Sequence, residues 1–122
     1  AGIVGLSTAL DRVAGSLPAF QIRLIEIARA LAGSPRVLLL DETLAGLSSS
    51  EADEVVKVLR RVRDIGVTLV IIEHTMSVMA TLVDRMIVLD HGAVIADGPP
   101  QEVLRDRQVI VAYLGQKWAN RA

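Results

Sequence analysis

The stretch VLLLDE, residues 37–42, decides the fold. Its four consecutive apolar residues predict a strand of a parallel sheet, because such strands are covered on both faces and lack polar alternation. A second apolar run, Val67–Ile72, is followed by Glu73 and His74. Helical patterns lie before and between the two runs. Strands that alternate with helices predict an α/β fold with a mainly parallel sheet flanked by helices.

Helix signals lie on both sides of the first strand. Residues Ala19–Ala32 carry only a narrow polar stripe, so we expect a largely buried helix, ended by residues 33–35, Gly-Ser-Pro. Ser48 opens the next helix, with Glu51 three residues later as a capping box. Gly66 is suited to end that helix. These signals place a helix between the two strands.

The last third of the chain predicts a hairpin and further helices. A turn at His91-Gly92 separates two apolar runs that form the hairpin, Arg85–Leu89 and Val94–Ala96. The predicted helices are Ser77–Leu82, Gln101–Arg105 and Val109–Gly115. The fold class is therefore α/β, with a C-terminal hairpin and helices added to the parallel sheet.

Composition bounds the class of function. The 122 residues are 52% hydrophobic and 22% charged, which suits a packed domain or part of one. A net charge of -1 offers no basic face, so we expect no nucleic-acid partner. The absence of cysteine excludes disulfides and thiolate metal sites. His74 and His91 have no third ligand nearby, so the pattern does not favour zinc.

Ionisable residues follow both predicted strands. Asp41 and Glu42 come after the first, and Glu73 and His74 come after the second. In open α/β sheets ligands bind at the carboxyl ends of the strands, so we expect these groups to converge. Asp41 is suited to a magnesium ion, which prefers oxygen ligands. Glu42 is placed to orient or deprotonate a water, and His74 to donate a hydrogen bond to a phosphate.

A bland interpretation competes with this one, because an acid after a strand is often only a loop residue or a helix cap. The complete string Val37–Glu42 is more specific, since four apolar residues followed by Asp and Glu have the form of a Walker B strand. The order of motifs around it resembles an ABC-type ATPase domain over nearly the whole chain. These motifs are Leu17–Gln21, Ile27–Leu31, Leu38–Glu42, Ala45–Leu47 and Ile72–His74.

The tail narrows the resemblance to one branch of that family. Residues 90–92 and 97–99, together with Ala112–Gly115, look like the branched-chain amino acid uptake subfamily. The Leu-Pro-x-x-Gln form of residues 17–21 is similar to the signature of the same branch. We therefore expect residues 1–122 to form the C-terminal part of an ABC ATPase domain.

The resemblance implies a role for each matching position. Asp41 would lie near magnesium, Glu42 would be the catalytic base, and His74 would sense the terminal phosphate. The signature would contact ATP bound to the partner subunit, and it consists of Leu17, Pro18, Ala19, Phe20 and Gln21. A second segment would link the two sites of a dimer, and it is the loop Ala45, Gly46, Leu47 and Ser48.

Several positions depart from the family pattern. Phe20 stands where the signature has glycine, and its side chain should obstruct close approach of a phosphate. Thr43 replaces a common proline, and Ser48 replaces Asp or Asn. The sequence also has no Gly-Lys pair, because Lys57 follows valine and Lys117 follows glutamine, so the P-loop is missing.

Three hypotheses follow. The first is a transport ATPase subunit that uses ATP and Mg²⁺ once its P-loop part is present, and that drives import of a branched-chain amino acid or related solute. It implies a dimer of ATPase subunits, membrane permease subunits, and a cytoplasmic location on the inner face of the plasma membrane. The second is a non-enzymatic truncated α/β module that acts only through self-association or protein contacts. Under either hypothesis we expect the isolated chain to self-associate. The third, a DNA-repair ATPase, is disfavoured by the acidic charge and the lack of heptads.

Overall fold

The computed structural model describes residues 2–7 and 11–115, apart from the side chain of Leu114. The chain divides into two compact units, Ala1–His74 and Thr75–Ala122. Each unit has its own two-stranded sheet and its own buried residues. In the part of the chain that is described, no helix is both long and apolar enough to cross a bilayer.

The first unit is built around a strand–helix–strand arrangement. After a 3-10 turn at Ala14–Ser16 come α1 (Ala19–Ala32), β1 (Val37–Asp41), α2 (Ser49–Asp64) and β2 (Thr68–Ile72). Strands β1 and β2 pair in parallel, from Val37 opposite Thr68 to Asp41 opposite Ile72. The predicted parallel pairing and the helix between the two strands are confirmed.

The ends of α2 follow the sequence signals. The Ser48 hydroxyl accepts a hydrogen bond from the Glu51 amide at 3.3 Å, and the Glu51 carboxylate accepts one from the Ser48 amide at 2.9 Å. This reciprocal capping box satisfies two amides that the helix itself leaves unpaired. At the other end Gly66 has φ +99, a conformation that side chains disfavour.

The core of the first unit lies along one stripe of α2. Val55, Leu59 and Val62 are at most 1% exposed, and they recur at helical spacing. The strand β1 buries Leu38 and Leu40, and α1, which contacts α2, buries Leu24 and Ile27. Apolar burial of this kind stabilises a fold by about 25 cal/mol per Å² of surface removed from water.

Two expectations about burial are wrong. Strand β1 is not covered on both faces, because Val37 and Leu39 are 51% and 73% exposed, and β2 leaves Val70 and Ile72 similarly open. We call these four side chains the open face of the sheet. Helix α1 is not largely buried either, since only Leu24 and Ile27 of its 14 residues are. The described residues cover one face of the sheet and one stripe of α1.

The second unit contains the predicted hairpin. Its elements are α3 (Met76–Leu82), β3 (Met86–Asp90), β4 (Ala93–Gly98), α4 (Pro100–Val103) and α5 (Arg107–Leu114). The pairing of β3 with β4 is antiparallel and has an irregularity between Val88 and Leu89. His91 and Gly92 have φ +47 and +81, which suits a two-residue hairpin turn.

Side chains from the helices support this hairpin. The unit buries Met79, Leu82, Val88, Val103 and Val109. The hydroxyl of Tyr113 on α5 donates a hydrogen bond of 2.7 Å to the carbonyl of Leu89 on β3. A hydrogen bond between elements far apart in sequence holds the last helix on the hairpin.

Candidate functional site

The carboxyl ends of β1 and β2 meet at one edge of the parallel sheet. Asp41, the last residue of β1, lies opposite Ile72, the last residue of β2. Beyond the ladder, the Glu42 amide donates a hydrogen bond of 2.9 Å to the Ile72 carbonyl. Because Glu73 and His74 follow Ile72 directly, the structure brings the ionisable residues after both strands to the same edge.

Glu42 has an unusual backbone conformation. Its φ of +50 lies in the left-handed region, which residues with a side chain seldom adopt. Such conformations cost on the order of 1–3 kcal/mol and persist where surrounding contacts determine them. Here the hydrogen bond from the Glu42 amide to the Ile72 carbonyl fixes the residue at the turn out of β1. The strain lies at the acid that the sequence marks for catalysis.

Backbone hydrogen bonds shape the loop from β1 to α2. The Ala45 amide donates to the Glu42 carbonyl at 3.2 Å, and the Leu47 amide donates to the Leu44 carbonyl at 3.3 Å. Gly46 has φ +78, a turn conformation for which glycine is suited. The loop then enters the capping box at Ser48. Residues Ala45–Ser48 are therefore a defined turn rather than a loose connection.

A side-chain contact ties this loop to β2. The Glu73 carboxylate Oε1 accepts a hydrogen bond from the Leu44 amide at 2.9 Å, across 29 positions of sequence. Glu73 is half-buried, whereas Asp41, Glu42 and His74 are exposed. The sequence placed Glu73 at this edge but gave no role to it. The only signal was its position after the strand, because its partner is a backbone amide that no motif marks.

The edge fits one part of a magnesium–nucleotide site. Mg²⁺ bound with phosphates usually takes one or two carboxylates and keeps several waters. The exposed Asp41 carboxylate at the end of β1 can supply one such ligand. Among the residues that the structure describes there is no group of three that could enclose a metal ion. With Asp41 as a ligand, waters and phosphates would therefore complete most of the coordination of the ion.

A small cavity lies between α1 and β1. Its volume is about 210 Å³, and Asp41 and Thr43 are among the residues that line it. Arg23 and Glu26 on α1 line the same cavity and form an ion pair at 3.4 Å. The signature residues Leu17–Gln21 are not part of its lining. The part of α1 that faces the end of β1 across this cavity therefore begins at Arg23, after the signature residues.

The signature residues form the start of α1. Leu17 is buried, Pro18 is the N-cap, and the Gln21 amide donates to the Pro18 carbonyl at 3.0 Å. Proline offers no side-chain acceptor, so no side chain caps this helix. Ala19 is exposed and Phe20 is half-buried in the first turn. The Gln21 Oε1 atom is buried and has no hydrogen-bond partner within the described ranges.

Known proteins resemble this chain closely. A family model described as branched-chain amino acid ATP-binding cassette transporter matches residues 93–119, of which 116–119 lie outside the described residues. The high-affinity branched-chain amino acid transport ATP-binding protein BraF of Pseudomonas aeruginosa is 39% identical over 114 residues, covering 93% of this chain. The lipopolysaccharide export system ATP-binding protein LptB of Escherichia coli K12 is 34% identical over 106 residues, covering 87% of this chain.

The likeness extends to a solved structure. An ATP-binding cassette of an ABC transporter in its ADP conformation matches 94% of this chain with a TM-score of 0.86 and 32% identity, and the match covers 47% of that structure. This chain also covers only 45% of BraF and 44% of LptB, so it spans about half the length of these relatives. The chain belongs to the ATP-binding subunits of ABC transporters, in the branched-chain amino acid group, and corresponds to their C-terminal region.

Proposed function

We propose that this chain is the C-terminal part of a transport ATPase subunit, in which ATP hydrolysis drives import of branched-chain amino acids or a related small solute. The observation that carries the proposal is the shared edge of β1 and β2. There a hydrogen bond from its amide to the Ile72 carbonyl holds Glu42 in a left-handed conformation, next to the strand that leads to His74. Strained residues cluster at functional sites, and ligands of open α/β sheets bind at the carboxyl ends of the strands.

Each residue at the edge has a distinct task in this proposal. Asp41 holds Mg²⁺, which neutralises charge on the phosphates when it is bound. The Glu42 carboxylate orients the attacking water and accepts its proton. The His74 imidazole donates a hydrogen bond to the terminal phosphate. All three side chains are exposed in this chain and therefore reachable by a ligand.

Two segments act toward a second subunit. The N-terminus of α1 carries the positive end of the helix dipole, and the amides of Ala19 and Phe20 have no side-chain cap. We assign Leu17–Gln21 to contact ATP held by the partner of a dimer. The turn Ala45–Ser48 links the two sites of that dimer. Permease subunits would anchor the dimer at the cytoplasmic face of the membrane.

The assignment of the transported solute depends only on the names of similar proteins. BraF is named for branched-chain amino acid transport, and the family model carries the same description. LptB, which is named for lipopolysaccharide export, is nearly as similar. Branched-chain amino acids are therefore the first solutes to test in vesicles that contain the whole transporter.

The proposal is tested in the full-length subunit that contains this chain. Glu42→Gln keeps the shape of the side chain but removes the proton acceptor, so it should abolish turnover and trap ATP in a closed dimer. His74→Ala should also stop turnover. The control is Glu54→Gln, which changes an exposed acid of α2 away from the edge. Phosphate release at the wild-type rate from either edge variant would refute the assigned roles.

A second candidate function is a non-enzymatic module that acts through protein contacts. The specific observation in its favour is the aromatic ring at Phe20, which stands where the signature of the family has glycine. In phosphoryl transfer, positioning and charge neutralisation supply most of the catalysis. Because the 122 residues contain no Gly-Lys pair to position the phosphates, both proposals expect no phosphate release above buffer from this chain alone. Turnover of this chain alone that Glu42→Gln abolishes would exclude the non-enzymatic module.

A further inference from the structure

Glu73 joins the two strand ends through a single carboxylate. Its Oε1 accepts the Leu44 amide at 2.9 Å, although the two residues lie 29 positions apart. A hydrogen bond with an ionised acceptor is roughly twice as strong as a neutral one. Partial burial strengthens it further, because the local dielectric is lower than that of water. Glu73 is half-buried, unlike the exposed His74 that follows it.

This bond restrains the turn that begins at Glu42. The Ile72 carbonyl at the end of β2 accepts a hydrogen bond from the Glu42 amide, and the carboxylate of the next residue, Glu73, accepts one from the Leu44 amide. The two anchors lie on either side of Thr43, which is itself only 9% exposed. A left-handed φ at a residue with a side chain persists only where neighbouring contacts determine it. One backbone anchor and one side-chain anchor provide that determination here.

The same bond reaches the next turn. The Leu44 carbonyl accepts the Leu47 amide, and Leu47 precedes the capping residue Ser48. Displacement of Leu44 would therefore move both Glu42 and the turn Ala45–Ser48. On the other side, Glu73 is covalently joined to His74. The carboxylate thus connects three segments to which the proposed function gives separate tasks.

We propose that Glu73 is a positioning residue that holds Glu42 in its strained conformation and couples His74 to the turn Ala45–Ser48. This inference rests on the proposed hydrolytic function of the strand-end edge. Glu73 acts through the Leu44 amide and does not contact the reacting groups. Its contribution is geometric, since an error of about 1 Å in the position of a catalytic group can reduce the rate about 100-fold.

Two substitutions in the full-length subunit separate the hydrogen bond from other properties. Glu73→Ala removes the acceptor and should lower kcat about 10- to 100-fold while the KM for ATP changes little. Glu73→Gln retains an acceptor oxygen at the same reach and should restore most of the lost kcat. The matched control is Glu54→Ala, which removes an exposed acid from α2 in the same unit and should leave kcat unchanged.

Amide hydrogen exchange measures the restraint itself, independently of turnover. In the full-length subunit, Glu73→Ala should accelerate exchange at Leu44, and Glu73→Gln should accelerate it less. Amides near Val58 in the middle of α2 should be unaffected and serve as the internal reference. A variant that loses protection at Val58 as well has unfolded, and the glutamine variant then decides the outcome.

The outcomes distinguish this inference from the function on which it rests. Wild-type kcat in Glu73→Ala, or glutamine as harmful as alanine, would overturn the positioning role. Unchanged exchange at Leu44 in Glu73→Ala would also overturn it. If Glu42→Gln retains turnover while Leu44 loses protection in Glu73→Ala, the hydrolytic proposal fails and the restraint remains.

Discussion

Glu42 shows what sequence can and cannot predict about a single residue. The string before it predicted a strand end and an acid suited to water activation, and the structure places it at the edge of a parallel sheet. Its φ of +50 could not be predicted, because the conformation depends on Ile72 in the other strand. The Glu73–Leu44 contact was missed for the same reason. Long-range backbone partners leave no local pattern.

Phe20 is the position where residue identity and expected function disagree most. It lies half-buried in the first turn of α1, at the signature position where the family pattern has glycine. In the full-length subunit we expect Phe20→Gly to raise the rate of ATP turnover, because a phosphate can then approach the helix N-terminus. Glycine should also destabilise the helix by up to about 1 kcal/mol relative to alanine.

Phe20→Ala is the control that separates removal of the ring from the loss of helix propensity caused by glycine. It removes the ring but retains helix propensity, so its melting temperature should exceed that of the glycine variant. Phosphate release under saturating ATP and thermal unfolding are measured on all three proteins. A turnover rate equal to that of the wild type in both variants would show that the ring of Phe20 does not obstruct the phosphate.

At the scale of elements, boundaries were easier to predict than burial. The bounds of α1 agree with the expectation because Pro18 is its N-cap and residues 33–35 end it, although the left-handed residue there is Ser34 and not the glycine. The burial of β1 was predicted wrongly, because four apolar residues show that a strand is apolar but not which segment covers it. Leu39 is 73% exposed for this reason.

The capping box of α2 gives an element-scale prediction. Ser48→Ala removes the hydroxyl that accepts the Glu51 amide, so it should lower the free energy of unfolding by about 1 kcal/mol. Ser49→Ala is the control, because Ser49 is the first helical residue and alanine is favoured within helices. Urea denaturation compares the two variants. Equal midpoints for both would mean that the cap contributes nothing measurable.

The hairpin carries a pH-dependent ion pair. Arg85 donates two hydrogen bonds of 2.7 Å to the Asp97 carboxylate. The hydrogen bond and charge of Arg85 hold the pKa of Asp97 below its ordinary value. At neutral pH the pair contributes fully, because Asp97 is ionised in both states. As the pH falls through the unfolded-state pKa, the unfolded chain binds the proton first, and the contribution disappears below the folded-state pKa.

Asp97→Asn should therefore lower the melting temperature at neutral pH and have little effect in strong acid. Both groups are exposed, so salt should reduce the difference. Asp84→Asn is the control, since that exposed carboxylate forms no ion pair within the described ranges. An effect of Asp97→Asn that is constant across the acid range would argue against the ion pair as its cause.

At the scale of the whole molecule, the open face of the sheet is an apolar surface that the described residues do not cover. Val37, Leu39, Val70 and Ile72 are all about half exposed or more, and β2 has one partner strand in the part that is described. Exposed apolar faces and unpaired strand edges favour association with other chains. A few hundred Å² of such surface is equivalent to several kcal/mol at ~25 cal/mol per Å².

We therefore expect this chain in isolation to self-associate at micromolar concentration, as measured by light scattering. A Leu39→Lys/Ile72→Lys double variant should lower the apparent mass, because it places two charges on the open face. Ile65→Lys is the control, because Ile65 is 60% exposed at the end of α2 rather than on the sheet. A monomer with a cooperative melt would instead favour rearrangement within one chain.

The spacing of paired strands also sets an order of events in time. Partners in β1 and β2 lie 31 positions apart, as Val37 and Thr68 do, whereas those in the hairpin are separated by 12 or fewer. Nearby partners meet sooner, and hairpins form in about 1–10 μs. During refolding, pulsed hydrogen labelling should find the β3–β4 amides protected before those of β1 and β2. The left-handed turn at Glu42 would then be among the last features to form, because it depends on β2 being in place.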